Sequence, residues 1–120
     1  MINKKLSGLI KKIHKFRDDR DWMQFHNSKD MALALSIEAS ELLEVFLWKN
    51  KQEVESFIED KKNIEKISDE LADVFTFAIE LADNLGIDIE KAVNKKLIKN
   101  NNKYPVEKAK GSHKKYTDLK

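Results

Sequence analysis

Two helical stripes that should be apolar throughout each carry a carboxylate doublet: Glu38-x-x-Glu41 in one and Glu70-x-x-Asp73 in the other. A spacing of three puts both members of a doublet on one helix face. The stripes must turn inward to bury their leucines, and the acids turn with them. Four carboxylates directed at one interior do not stay ionised without a cation. Oxygen-only ligands suit Mg²⁺, with Mn²⁺ as the alternative, and such ions typically act on phosphates. Glu38, Glu41, Glu70 and Asp73 are therefore the candidate metal ligands and catalytic residues. The plain alternative for any one doublet is a solvated face, since 21 of the 120 residues are acidic. Two doublets within the inward stripes of two long helices are harder to assign to solvent.

Three glycines and one proline leave little to interrupt helices in this chain. An all-α fold is expected, with a single domain over residues 1–120. Charged residues make up 37% of the chain, yet the formal net charge is only +2. That balance gives no basis for binding a nucleic-acid polymer. Cysteine is absent, which excludes disulfides, thiolate metal sites and a Cys nucleophile. No apolar run has membrane-spanning length and no secretory leader is recognisable, so a cytoplasmic address with no membrane partner is expected.

Leu6, Leu9, Ile10, Ile13 and Phe16 or Arg17 predict a first helix over about 4–19. A charge run, Arg17 to Asp21, leads into a loop over 22–27 that carries Trp22, Phe25 and His26. Asn27 or Ser28 is placed to cap a second helix over about 29–48. Its stripe is Met31, Ala34, Leu35, Glu38, Glu41, Leu42, Val45 and Phe46, and Trp48 closes it. Residues 49–62 are expected to form a short helix or a tethered loop around Val54, Phe57 and Ile58. A third long helix over about 64–85 carries Ile67, Glu70, Leu71, Val74, Phe77, Ala78, Leu81 and Leu85 inward, with Asp73 on the flank. Gly86 is its stop. Asp88 caps a fourth over about 89–103, whose inward positions include Lys96 and Asn100. After Pro105 the basic stretch 106–120 shows no period and is expected to be irregular. The whole reads as four main helices plus a short one, in a bundle that gains apolar burial from association with further copies.

The chain has no phosphate-binding Gly-rich loop, no dinucleotide fingerprint and no Gly-x-Ser-x-Gly elbow. Neither acid-bearing helix holds the Glu-x-x-His pair of di-iron bundles. If the chain is an enzyme, a metal-activated water is the expected nucleophile. Lys96 is placed to meet phosphate, or to extend past its apolar neighbours into water. Trp22 and Trp48 flank the second helix and suit stacking on a base, or packing in a core. A non-catalytic helical module that binds a nucleotide or a partner protein is the competing reading.

Several strings resemble one family. Arg20-Asp21-Trp22-Met23-Gln24-Phe25-His26, Glu38-Ala-Ser-Glu41, Phe46-Leu47-Trp48-Lys49, Glu70-Leu-Ala-Asp73, Tyr104-Pro105 and Gly111-Ser112-His113-Lys114-Lys115-Tyr116-Thr117 occur in the order found in the MazG-like, all-α nucleoside triphosphate pyrophosphohydrolases. The likeness is to the small dCTP pyrophosphatase type and extends over about residues 9–119. It implies Mg²⁺-dependent hydrolysis of a nucleoside triphosphate, dCTP or a related pyrimidine, to the monophosphate and pyrophosphate, as nucleotide-pool sanitation. It also implies metal ligation by Glu38, Glu41, Glu70 and Asp73, and a base pocket lined by Trp22, His26 and Trp48. Lys96 and Asn100 would hold phosphate or sugar, and the chain would form a homodimer or a dimer-of-dimers tetramer. Three positions depart from the pattern: Leu47 replaces a Gln, Phe77 stands where a Tyr is common beside the site, and Asn101-Asn102-Lys103 is less basic than its counterpart.

Overall fold

The computed structural model describes residues 4–119. Among them are six α-helices and no strand. The elements are α1 (Lys4–Asp19), a 3₁₀ turn (Met23–Phe25), α2 (Ser28–Phe46), α3 (Lys51–Phe57), α4 (Lys61–Asn84), α5 (Ile89–Lys103), α6 (Val106–Ala109) and a second 3₁₀ turn (Tyr116–Asp118). The four long helices and the short one expected from periodicity are α1, α2, α4, α5 and α3. The chain divides into two compact units at Gly86.

The first unit is organised on α4, which packs along α2 and, over a shorter stretch, against α1. Met31 of α2 and Ile79 and Ala82 of α4 are its buried apolar residues. Each helix start has a local cause. Asn27 caps α2 by accepting from the Asp30 N–H at 2.9 Å. Asn50 and Glu53 form a reciprocal capping box on α3, which settles 49–62 as a helix rather than a loop. Asp60 caps α4 through the Lys62 N–H, so that helix begins three residues before its apolar period does. Gly86, at φ 64°, supplies the left-handed residue beyond its end.

One helix end shifts, one open choice is settled, and Leu71 and Leu85 of α4, expected inward, are each 54% exposed. Helix α2 stops at Phe46 and does not run to Trp48. The Leu47 and Lys49 N–H groups bond to Glu44 and Phe46, the Lys49 ammonium caps the Val45 carbonyl at 3.0 Å, and Trp48 turns left-handed at φ 65°. At the end of α1, Arg17 is the buried residue and Phe16 is 51% exposed. Ion pairs hold the guanidinium inside, whereas Phe16 meets Trp22 edge-to-face at 5.6 Å and carries the Arg20 guanidinium on its ring at 3.7 Å.

The second unit holds α5, capped by Asp88, then α6 and the last 3₁₀ turn. The stretch expected to be irregular thus contains a four-residue helix. Pro105 sits at its N-cap, and four residues are too few to display a period. Tyr104 and Tyr116 meet edge-to-face at 6.0 Å, with Lys103 over the Tyr116 ring at 4.8 Å.

Asn27→Ala removes an N-cap and is expected to lower the unfolding free energy by about 1 kcal/mol. Urea titration followed by circular dichroism measures it.

Candidate metal centre and adjoining cavity

Packing of α2 on α4 brings Glu38, Glu41 and Glu70 together. One carboxylate oxygen from each lies within 4.8 Å of the others, and all three side chains are half-buried. Glu38 Oε2 and Glu70 Oε2 are buried with no hydrogen-bond partner. Burial, followed by the hydrogen bond and charge of Glu41 and the charges of Asp73 and Glu70, pushes the Glu38 carboxyl up to about 7. Glu70 is raised too, through burial and the Glu41 charge first. Orphaned oxygens and carboxyls that resist ionisation are what a cation site looks like without its cation. The donors are all carboxylate oxygens, so the cluster fits a hard divalent ion.

Asp73 stands apart from the three. It is exposed, yet its charge raises both Glu38 and Glu70. It also lines a cavity of about 250 Å³ bounded by Ile13, Phe16, Arg17, Trp22, His26, Thr76, Phe77 and Glu80. The carboxylate cluster and the cavity therefore share Asp73 as their common edge. On another flank, Lys49 and Lys66 join Glu41, Glu44 and Glu70 around a depression of about 440 Å³.

Part of the cavity lining is polar: Arg17, His26 and Glu80. Glu80, only 3% exposed, accepts from His26 Nδ1 at 3.1 Å and lies 3.7 Å from the Arg17 guanidinium. Arg17 also bonds Asp83 at 2.7 Å and Asp18 at 2.9 Å. Asp18 foremost, with Asp83 and Glu80, holds the guanidinium protonated more firmly than usual, against the opposing effect of burial. The Asn84 amide donates to the His26 carbonyl, which anchors the loop before α2 to the end of α4.

Of the residues expected at the site, Trp22, His26 and Phe77 line the cavity. Trp48 does not: the left-handed turn after α2 leaves it 91% exposed. Lys96 and Asn100 lie on α5, in the second unit, the former exposed and the latter half-buried.

Periodicity missed Glu80, Asp83, Lys49 and Lys66, and offered Arg17 only as the alternative to Phe16 in the stripe of α1. One signal was in plain sight. Glu80-Leu-Ala-Asp83 repeats Glu70-Leu-Ala-Asp73 ten residues later on the same helix. Ten residues at about 100° each leave the second copy turned by roughly a quarter turn. The first copy sends Glu70 to the glutamates of α2, and the second meets Arg17 and His14 of α1.

The MazG-like family model matches residues 33–119. The chain is 38% identical over 111 residues to dCTP pyrophosphatase 1 of Rattus norvegicus, covering 92% of this chain and 65% of that protein. The corresponding figure for dCTP pyrophosphatase 1 of Homo sapiens is 35%, with the same coverage. The chain thus spans 65% of the length of these curated relatives. A crystal structure of a pyrophosphatase from Archaeoglobus fulgidus superposes with a TM-score of 0.77 at 33% identity, over 88% of this chain and 96% of that one. With its family model, its relatives and its acid-bearing helices in accord, the chain belongs to the MazG-like family.

Proposed function

We propose that this chain hydrolyses a deoxynucleoside triphosphate, dCTP or a related pyrimidine, to the monophosphate and pyrophosphate. The observation that carries the reading is the convergence of Glu38, Glu41 and Glu70, two of them with buried unpartnered oxygens, beside an aromatic-walled cavity. The names of the relatives and of the structural neighbour support the same reaction.

Glu38, Glu41 and Glu70, with Asp73 at the rim, would hold Mg²⁺ or Mn²⁺. When bound, such an ion supplies a Lewis acid for phosphate oxygens and lowers the pKa of a coordinated water. The cavity would take the base, with Trp22, Phe16 and Phe77 as apolar and aromatic walls. Asp73 on the shared edge puts the base site next to the acids, so a nucleotide seated there extends its phosphates over the cluster. Lys49 and Lys66 then supply positive charge on the far flank, and Lys96 and Asn100 are the proposed contacts to phosphate or sugar from α5. Trp48 would contribute to base binding only after a change in its turn or from another copy. A cluster carboxylate with an uncommitted oxygen would take the proton of the water whose oxygen bonds to the α-phosphorus, as the bond from that phosphorus to the bridging oxygen breaks and pyrophosphate departs. The helices position these groups.

We also propose that the chain self-associates. Leu33, Ile37 and Leu43 of α2, and Leu71 and Phe75 of α4, form second apolar faces on helices that already pack together, and each is at least 42% exposed. Among the described residues no helix is long and apolar enough to cross a membrane, which leaves a further copy as a fitting cover for these faces. Light scattering after gel filtration should give a mass that is a multiple of 14.0 kDa. Ile37→Asp should reduce it.

Incubation with each dNTP and Mg²⁺, with chromatography for dNMP and pyrophosphate, tests the reaction, and no product from any dNTP would refute it. Glu41→Gln should lower turnover at least a hundredfold while helix content by circular dichroism stays unchanged. Retained turnover would remove Glu41 from the site. The raised Glu38 carboxyl binds a proton in the folded chain at a pH where it is ionised in the unfolded one. Its contribution to stability is therefore lost as pH climbs from the ordinary carboxylate range to about 7. Chelator-treated protein should show this fall in melting temperature, Glu38→Gln should lessen it, and Mg²⁺ or Mn²⁺ should offset it most at the upper end.

A further inference from the structure

Glu80 lines the cavity with one of its two carboxylate oxygens unpartnered. Its Oε2 is committed to His26 at 3.1 Å and to Arg17 at 3.7 Å. Its Oε1 is buried, lacks a partner, and belongs to a side chain 3% exposed. An unsatisfied carboxylate oxygen in a cavity with aromatic walls is costly unless a donor arrives. An ionised carboxylate only accepts hydrogen bonds. The ring nitrogen of His26 and the guanidinium of Arg17, which line the same cavity, hold its other oxygen, so the carboxylate cannot turn to find water without breaking both contacts.

We infer that Glu80 is the specificity-determining residue of this cavity: its free oxygen accepts from the exocyclic amine of a cytosine, and it rejects uracil and thymine, which present a carbonyl oxygen at the same position. The inference rests on the proposed nucleotide reading of the site. Cytosine and uracil are nearly equal in size, so apolar walls discriminate poorly between them, whereas a buried acceptor separates them by the sign of one hydrogen bond. The cavity volume of about 250 Å³ accommodates a pyrimidine ring. Asp73, on the shared edge, leaves the sugar and phosphates directed toward the metal ligands.

Three substrates are compared at saturating Mg²⁺: dCTP, dUTP and the deoxynucleoside triphosphate of 2-pyrimidinone, which lacks the exocyclic group altogether. Wild-type kcat/KM should favour dCTP over each of the others by tenfold or more. Glu80→Gln presents an amide that donates as readily as it accepts, and Arg17 keeps Asp83 and Asp18 as partners. The variant should shrink the dCTP-to-dUTP ratio at least tenfold, chiefly through KM. A ratio within twofold of wild type would overturn the inference, as would wild-type turnover of the 2-pyrimidinone triphosphate equal to that of dCTP. The latter comparison needs no variant and survives any failure of Glu80→Gln to fold. Calorimetric titration of wild type with dCMP and dUMP reads the same preference without turnover. Tighter dCMP binding in a protein that hydrolyses nothing would sink the reaction and keep the role of Glu80, and equal binding would sink the role of Glu80 whatever the turnover.

Discussion

Repulsion among Glu38, Glu41 and Glu70 is the constraint around which the first unit is arranged. Apolar contact between α2 and α4 forces the three carboxyls together, and two of their oxygens are left buried and unpartnered. Packing and electrostatics oppose one another at this point. The raised Glu38 and Glu70 carboxyls measure that opposition. A divalent ion would reconcile them, because it would turn mutual repulsion into shared attraction. Rigid helices are well suited to such a centre, since a ligand on a helix has few ways to relax out of position.

Helix α4 serves both the cluster and the cavity. Its first Glu-Leu-Ala-Asp segment looks toward α2 and its second toward α1, so one helix carries a cluster of carboxyls with lysines only on its flank and, further along, an acid pair held by the Arg17 guanidinium, with His14 and His26 in contact. The difference in partner explains the difference in behaviour. Glutamates crowded by other carboxyls resist ionisation and favour a cation. Glutamate and aspartate faced by a guanidinium form a fixed polar floor. Between the two lies the aromatic cavity, with Asp73 common to both neighbourhoods.

Much of this was legible along the chain. The helix spans followed from apolar period and from capping residues whose action is local: Asn27, Asp88 and Gly86 lie where the sequence predicts, because a cap depends only on neighbours within a turn. Glu38, Glu41 and Glu70 were identifiable because an acid inside an apolar stripe contradicts its surroundings. Trp48 does not close α2 as expected, because the helix ends at Phe46 and the left-handed φ of 65° at Trp48 itself reorients a side chain that a continued helix would have aimed elsewhere. Glu80 escaped notice because it falls off the apolar stripe of α4 and reads as an exposed acid until α1 is seen against it.

What the residues alone determined is the all-helical character, the family, and the inward direction of Glu38, Glu41 and Glu70, since these depend on period and local spacing. Only the tertiary structure decided that Asp73 stands at the rim while the other three converge, that Arg17 is buried and Phe16 is not, and that Glu80 lines a cavity. Each of these turns on which helix lies opposite. A side chain's own position on its helix says which way it points, and only the partner across the interface says whether it meets a charge, a ring or water.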